Sequence, residues 1–292
     1  MKAEILQFTG IDVERKDVYN PTGPFMDREK LYLAARVESH DSETDSEVMF
    51  FNETPKGWLR DPETPILKLQ DPFITKIGGE WITGGVRYPV GDGSWCTDFY
   101  RGSDLLNLQH FASGPLGMKD IRPTELHDGR IGVFTRPQGQ KGGRGKIGFT
   151  IIDTLDEMET MDYEAVPLIP GQFGDDTWGG PNAVYRLQPG KVGILGHTAY
   201  MENEGTPDVV KHYMPMAFVY DYIKGEATEI RVIARRKDFP EGPAKRIPEL
   251  VNIVMSGGLH CLGDGNAILY VGLSDMQVGR RIVPDPFAGY RD

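Results

Sequence analysis

A chain of 292 residues with 39% hydrophobic residues, 36 glycines and 21 prolines can bury a full core and is rich in turns, which excludes disordered and collagen-like classes. A formal net charge of −11 argues against a nucleic-acid partner, because a phosphate backbone is held by clustered Lys and Arg. Two cysteines, Cys96 and Cys261, supply neither a disulfide framework nor a four-thiolate metal site, and both are expected as reduced, buried thiols. The opening Met1-Lys2-Ala3-Glu4-Ile5-Leu6 has no long apolar leader and no later run approaches a membrane span, so the expected location is cytoplasmic, away from the membrane.

In chain order, the pattern is strand and turn almost throughout. Leu31 to Glu38 and Glu47 to Phe51 read as short strands split by the acidic, solvated stretch Ser39 to Ser46. Phe73-Ile74-Thr75-Lys76-Ile77 and Glu80-Trp81-Ile82-Thr83-Gly84-Gly85-Val86 flank Gly78-Gly79, a hairpin signal, because glycine supplies the positive φ that primed turns need. The design returns at Glu125 to Phe134 around Asp128-Gly129, at Ala183 to Leu195 around Pro189-Gly190, and at Val251 to Leu273 around Gly263-Asp264-Gly265. Helical periodicity is weak, with one short turn predicted within Asp153 to Met161. Five hairpin modules in 292 residues, about 58 residues each (292/5), predict an all-β chain folded as a single five-bladed β-propeller over 1–292, its inner strands converging on an axial pocket.

The stretch Leu69-Gln70-Asp71-Pro72-Phe73 places an ionisable carboxylate before a proline at the mouth of a strand, and proline favours an extended conformation for the residue before it. Similar steps recur at Asn20-Pro21, 51 residues earlier (71 − 20), and at Arg122-Pro123, 51 later (122 − 71), with Gly180-Pro181 following. Asp71 is therefore the first candidate for catalysis. Arg36 lies in an otherwise apolar strand and needs a partner, which Glu38 or a ligand can supply. Trp95 and Trp178 are candidates for stacking on a ligand face or for packing a blade. The Lys141-Gly142-Gly143-Arg144 loop is a further candidate for phosphate or an exposed turn, and no metal-ligand spacing is evident, so no metal is expected.

Asn20-Pro21, Ala35-Arg36-Val37-Glu38, Gln70-Asp71-Pro72, Met118-Lys119-Asp120, the run from Arg122 to Ile131 with Thr135-Arg136-Pro137, Gly180-Pro181, Gly196-His197 and Tyr270 to Asp275 occur in an order that resembles the β-mannoside phosphorylases of glycoside hydrolase family 130. The chain is still more similar, over nearly its whole length, to glycosyltransferase family 108, the β-1,2-mannosyltransferase/phosphorylases formerly grouped as a domain of unknown function. It departs from family 130 in carrying Gln70 and Phe73 on either side of its Asp-Pro.

The resemblance implies a propeller with an axial site where inorganic phosphate, a co-substrate rather than a cofactor, cleaves a β-1,2-manno-oligosaccharide with inversion to α-mannose 1-phosphate, reversibly as mannosyl transfer. It implies Asp71 as general acid, acting through a hydroxyl of the mannose ring. Arg36, Lys119, Arg136 and His197 match its phosphate-binding cluster, and Asn20, Glu38, Gln70, Glu125, Asn182 and Asp275 are the substrate-binding candidates. A phosphate nucleophile needs no general base, whereas water attacking with inversion needs a second carboxylate. Three alternatives stay open: a β-mannoside hydrolase using Glu125 or Asp175/Asp176 as that carboxylate, a mannosyltransferase from a nucleotide-linked mannose, and a sugar-binding propeller without turnover. The expected partners are a manno-oligosaccharide and phosphate, with no nucleic acid and no membrane, and a homo-oligomer is left open.

Overall fold

A computed structural model describes residues 3–291. The described chain is almost all β, and its few helical turns are short, as at Leu155–Glu159, where Thr154 and Glu157 form a reciprocal cap. The expected hairpins form: Lys30–Ser39 pairs with Glu47–Thr54, Gln70–Ile77 with Glu80–Val90, Arg122–Glu125 with Ile131–Thr135, Trp178–Arg186 with Lys191–Glu202, and Asn252–Cys261 with Asn266–Leu273. Gly78 and Gly79 both take positive φ, as their turn requires.

The strands among the described residues fall into four hydrogen-bonded sheets of nine, four, three and six strands. The nine-stranded sheet consists of two antiparallel stretches, one through Trp178–Arg186, Lys191–Glu202 and Val210–Asp221 and one through Asn252–Cys261, Asn266–Leu273 and Gln277–Pro284. They are joined by a short parallel pairing, His212↔Asn252 and Tyr213↔Ile253. The first described strand, Glu4–Ile5, adds to the last long one, with Glu4 opposite Arg280.

The apolar residues lie between these groups rather than inside any one of them. Phe50 and Leu67 meet Leu69 and Leu105; Phe73 and Ile82 meet Ile131 and Val133; Phe134 and Phe149 meet Ile194 and Phe218; Leu195 and Ala217 meet Leu269 and Phe287; Val278 and Tyr270 return to Leu33 and Phe51. Each antiparallel group is thus covered by apolar contacts with the group before it and the group after it. Burying each large side chain contributes roughly 1.5–3 kcal/mol, so the contacts that stabilise the fold are also those that fix each strand against its neighbours.

Close backbone approach requires glycine where strands converge. A Cβ on Gly272 would stand 1.9 Å from Asn20 Oδ1 and 2.7 Å from the Asn20 amide nitrogen. Gly272→Ala is therefore expected to displace Asn20 and to cost about 1–3 kcal/mol, as overpacking does; a thermal unfolding midpoint equal to wild type would contradict this contact.

Candidate active site

Three strands that reach the site break register where they do so: between Gln70 and Phe73, between Pro181 and Ala183, and between Ser256 and Gly258. Such bulges re-aim a side chain that regular alternation would send into the sheet. Asp71 occupies the first bulge at φ 49°, in the left-handed region, and Asn20, also before a proline, has φ 45°. The extended conformation expected for Asp71 is thus corrected. Proline biases its predecessor toward extended conformations, but the bulge overrides that bias here, and Asp and Asn tolerate left-handed φ better than most residues. Asp120, Ser274 and Asp275 share this conformation, so five of the ten non-glycine residues with positive φ among the described residues belong to this region of the molecule.

Asn20 Nδ2 donates to Asp71 Oδ1 at 2.8 Å, and Arg36 Nη1 donates to the same oxygen at 3.3 Å. Arg36 is fixed from behind. Its Nε and Nη2 donate to Glu38 Oε2 at 3.0 and 2.8 Å, two residues away on the same face of its strand, and its guanidinium lies 5.0 Å from the ring centroid of Tyr19, the residue opposite it in register. Glu38 is fully buried and also accepts from Tyr19, Ser46 and Lys245. Burial pushes Glu38 upward, but Arg36 and the donors from Lys245, Ser46 and Tyr19 outweigh it and hold the carboxyl below its ordinary range. Burial likewise works against the Arg36 charge, yet Asp71, Tyr19 and Glu38 raise its pKa.

These groups open on a cleft of about 200 Å³ whose walls include Asn20, Arg36, Gln70, Asp71, Lys119 and Asp275. Burial pushes the Asp275 carboxyl up to about 6, with Arg36 opposing the shift and Asp71 adding to it. The sequence-based site is therefore brought together at six of its eleven positions.

Five positions need correction. Arg136 does not line the cleft: buried behind it, Arg136 donates to the Gly179 carbonyl at 2.7 Å and faces Asp120 at 3.4 Å. His197 stacks on Tyr213 and donates from Nδ1 to Asn182 Oδ1 at 3.0 Å; burial presses its pKa down to about 3, so it is a neutral ring rather than a phosphate-binding cation. Asn182 is occupied by that ring and by Ser256. Glu38 is sealed beneath Arg36 and meets no part of the cleft wall. Glu125 accepts from the Gly78 amide at 2.9 Å, at the far end of the strand that begins beside Asp71, about 20 Å away at roughly 3.3 Å per residue. Asp175 and Asp176 are exposed and away from the cleft wall.

The Lys141 to Arg144 loop is a surface turn, with Lys141 bonded to the Val166 carbonyl at 2.5 Å and Arg144 to Glu204 at 2.6 Å. Cys96 is buried but Cys261 is exposed at a hairpin end, contrary to expectation. Among the described residues no group of three or more His, Cys, Asp or Glu side chains is placed to hold a metal.

Sequence reasoning missed Lys211, Tyr213 and Arg246, which line the same cleft. Tyr213 had a usable signal in the aromatic run His212-Tyr213 of a long strand; the other two look like ordinary surface charges. Asp120 was also missed as a site residue. Burial pushes it up, but Arg136, Lys119 and Arg122 hold it below the ordinary carboxylate range.

The family described as protein of unknown function (DUF1861) matches residues 1–289. The chain belongs to that family. This DUF1861 member is similar to a mannose phosphorylase from Leishmania mexicana solved in complex with phosphate ion, at 33% identity over 99% of this chain and 90% of that one, with a TM-score of 0.90. It is also similar to a GDP-Man-dependent mannosyltransferase from Leishmania mexicana, at 34% identity over 100% of this chain and 92% of that one, again with a TM-score of 0.90. The β-1,2-mannobiose phosphorylase from Listeria innocua, at 13% identity over 91% of this chain and 90% of that one and a TM-score of 0.66, shares the fold. No curated protein sequence matches significantly. The resemblance to the mannosyltransferase/phosphorylases is thereby borne out.

Glu38→Gln is expected to leave Lys245 without a counter-charge and Arg36 with Asp71 alone in a buried site, and to destabilise the protein by about 3–5 kcal/mol, read from chemical unfolding; a loss under 1 kcal/mol would contradict the pairing. Asp275, with its folded pKa near 6 above the usual carboxylate value, makes the native state bind the extra proton between about pH 4 and 6. Its contribution to stability therefore falls as pH rises through that window. Neutral His197 acts in the opposite sense, its penalty growing as pH falls below the ordinary imidazole range toward 3. The difference between wild type and Asp275→Asn isolates the carboxylate: the variant should gain stability relative to wild type from pH 4 to 7 in thermal unfolding, and a constant difference would contradict the raised pKa.

Proposed function

We propose that this DUF1861 protein is an inverting mannoside phosphorylase, using phosphate to cleave β-1,2-linked manno-oligosaccharides and running in reverse as a mannosyltransferase from α-mannose 1-phosphate. Its setting would be a single five-bladed β-propeller in the cytoplasm, and the cyclic succession of apolar clusters between antiparallel groups supports that architecture. The observation that carries the functional reading is one carboxylate, Asp71, held through Oδ1 by Asn20 and Arg36 in a cleft that Lys119 also lines. Asp71 Oδ2 takes no hydrogen bond from the described residues, which suits an oxygen that handles a proton.

In this reaction the glycosidic C–O bond breaks as a phosphate oxygen bonds to the anomeric carbon from the opposite face. The proton from Asp71 reaches the departing oxygen, relayed by a ring hydroxyl as the family resemblance implies. Arg36 and Lys119 offset the negative charge of the nucleophile, so no base is required. The Asp275 carboxylate and Gln70 Oε1 would accept from sugar hydroxyls, since Gln70 Nε2 already donates to the Glu43 carbonyl at 2.8 Å and to Ser46 Oγ at 3.3 Å. The similarity to a mannose phosphorylase at 33% identity supports the choice of sugar and nucleophile.

A nucleotide-linked mannose is the second reading. Lys211 and Arg246 also line the cleft, paired with Glu249 and, for Arg246, with Glu43 as well, and the similar GDP-Man-dependent enzyme supports this donor class.

Mannose 1-phosphate release from β-1,2-mannobiose, measured with and without phosphate, tests the proposal. Wild type should require phosphate, and Asp71→Asn should lose at least about 100-fold in turnover, the usual scale of a general acid, while unfolding at the wild-type temperature. Free mannose formed without phosphate would replace phosphorolysis by hydrolysis, and absence of any product would move the donor to a nucleotide sugar or the role to binding alone.

A further inference from the structure

A second cleft adjoins the first and shares Glu43, Gln70 and Lys119 with it. Beyond that seam its walls change character, to Val86, Tyr88, Trp95 and Gln138. The strand pairing explains how these residues gather. Gln70 faces Val86 in register, and Tyr88 follows two residues later, on the same face of the Glu80–Val90 strand. Across from it the Ser94–Gly102 strand shifts register between Ser94 and Cys96, so that Trp95 alone stands opposite the bulged pair Tyr88-Pro89. Both aromatic residues are half-buried. Trp178, the other sugar-stacking candidate, is buried and bonded to Tyr213 at 3.4 Å, which removes it from this role.

The two clefts divide the chemistry. The first carries Asp71 and Asp275 with Arg36, Lys211 and Arg246, a wall for an anion and the group being transferred. The second offers aromatic faces and amides, and its charges lie only at the seam. Aromatic faces with a few amide groups suit a neutral pyranose, whose C–H face packs on a ring while its hydroxyls bond at the edge.

We propose, resting on the phosphorylase/mannosyltransferase reading above, that the Tyr88–Trp95 cleft binds the acceptor sugar, the same sugar that departs in phosphorolysis. Gln70, next to Asp71 and common to both clefts, then sits where the bond between the two sugars is made or broken. Trp95 and Tyr88 are residues that determine acceptor affinity and length preference, and they take no part in holding phosphate.

Reverse transfer from α-mannose 1-phosphate to mannose and to β-1,2-mannobiose tests this, with titration of each acceptor against wild type, Trp95→Ala, Trp95→Phe and Tyr88→Ala. In the forward direction, the KM for inorganic phosphate is measured for the same proteins. Trp95→Ala should raise the acceptor KM about tenfold, equivalent to 1.4 kcal/mol, with the phosphate KM unchanged; Trp95→Phe should restore most of the affinity, and Tyr88→Ala should show a smaller loss of the same kind. Thermal unfolding identifies any variant that fails to fold, and Trp95→Phe with Tyr88→Ala then decides the question. An acceptor KM unchanged in these variants, or an equal rise in the phosphate KM, overturns the assignment while leaving the phosphorylase reading intact. Wild type that transfers mannose to no acceptor overturns that reading, and the acceptor site with it.

Discussion

The buried charge chain from Lys245 through Glu38 and Arg36 to Asp71 is the constraint on which the site depends. Two cations and a carboxylate removed from water require near-complete pairing, and Glu38 meets that requirement by accepting from Arg36, Lys245, Tyr19 and Ser46. Arg36 then has one nitrogen left to direct at Asp71. The orientation of the proposed acid is set by this chain rather than by the proline that follows it.

The same chain ties together segments far apart in sequence. Lys245 belongs to the stretch before Asn252–Cys261, Glu38 and Arg36 to Lys30–Ser39, and Asp71 to Gln70–Ile77. Each of these strands is fixed by apolar contacts with its neighbours, so the charges meet only when the groups of strands are packed. Local strain is concentrated here as well: Asn20, Asp71, Asp120, Ser274 and Asp275 hold left-handed backbone conformations that isolated residues of these types adopt at a cost of roughly 1–3 kcal/mol each. Such conformations persist where surrounding structure over-determines them, and they give the cleft side chains directions that regular strands do not.

A second layer lies behind the cleft. Asp120 stands 3.4 Å from Arg136 and 3.7 Å from Arg122, and Arg122 lies 4.7 Å from the Phe73 ring, within the strand that carries Asp71. His197 completes this layer as an uncharged ring held by Asn182 and Tyr213. Only Lys119 and Arg36 of the basic residues suggested by the family resemblance reach the cleft wall, while Lys211 and Arg246, ion-paired with Glu249 and Glu43, also line it.

The sequence by itself determined the all-β character, the five hairpins and the candidacy of Asp71, because period-two alternation, turn glycines and the Asp-Pro step are local features read within a few residues. Arg36 and Glu38 were legible as a pair for the same reason, being two apart on one strand. What only the tertiary structure decided was which charges face the cleft. Arg136 and Arg36 look alike in sequence, yet Asp120 and the Gly179 carbonyl hold Arg136 behind the wall; His197 loses its charge to burial, which no neighbouring residue announces; and Glu125 is carried to the far end of the Asp71 strand. The division between the anionic-ligand cleft and the Tyr88–Trp95 cleft likewise arises from strand register, since the bulge at Tyr88-Pro89, opposite Trp95, brings the two aromatic residues together.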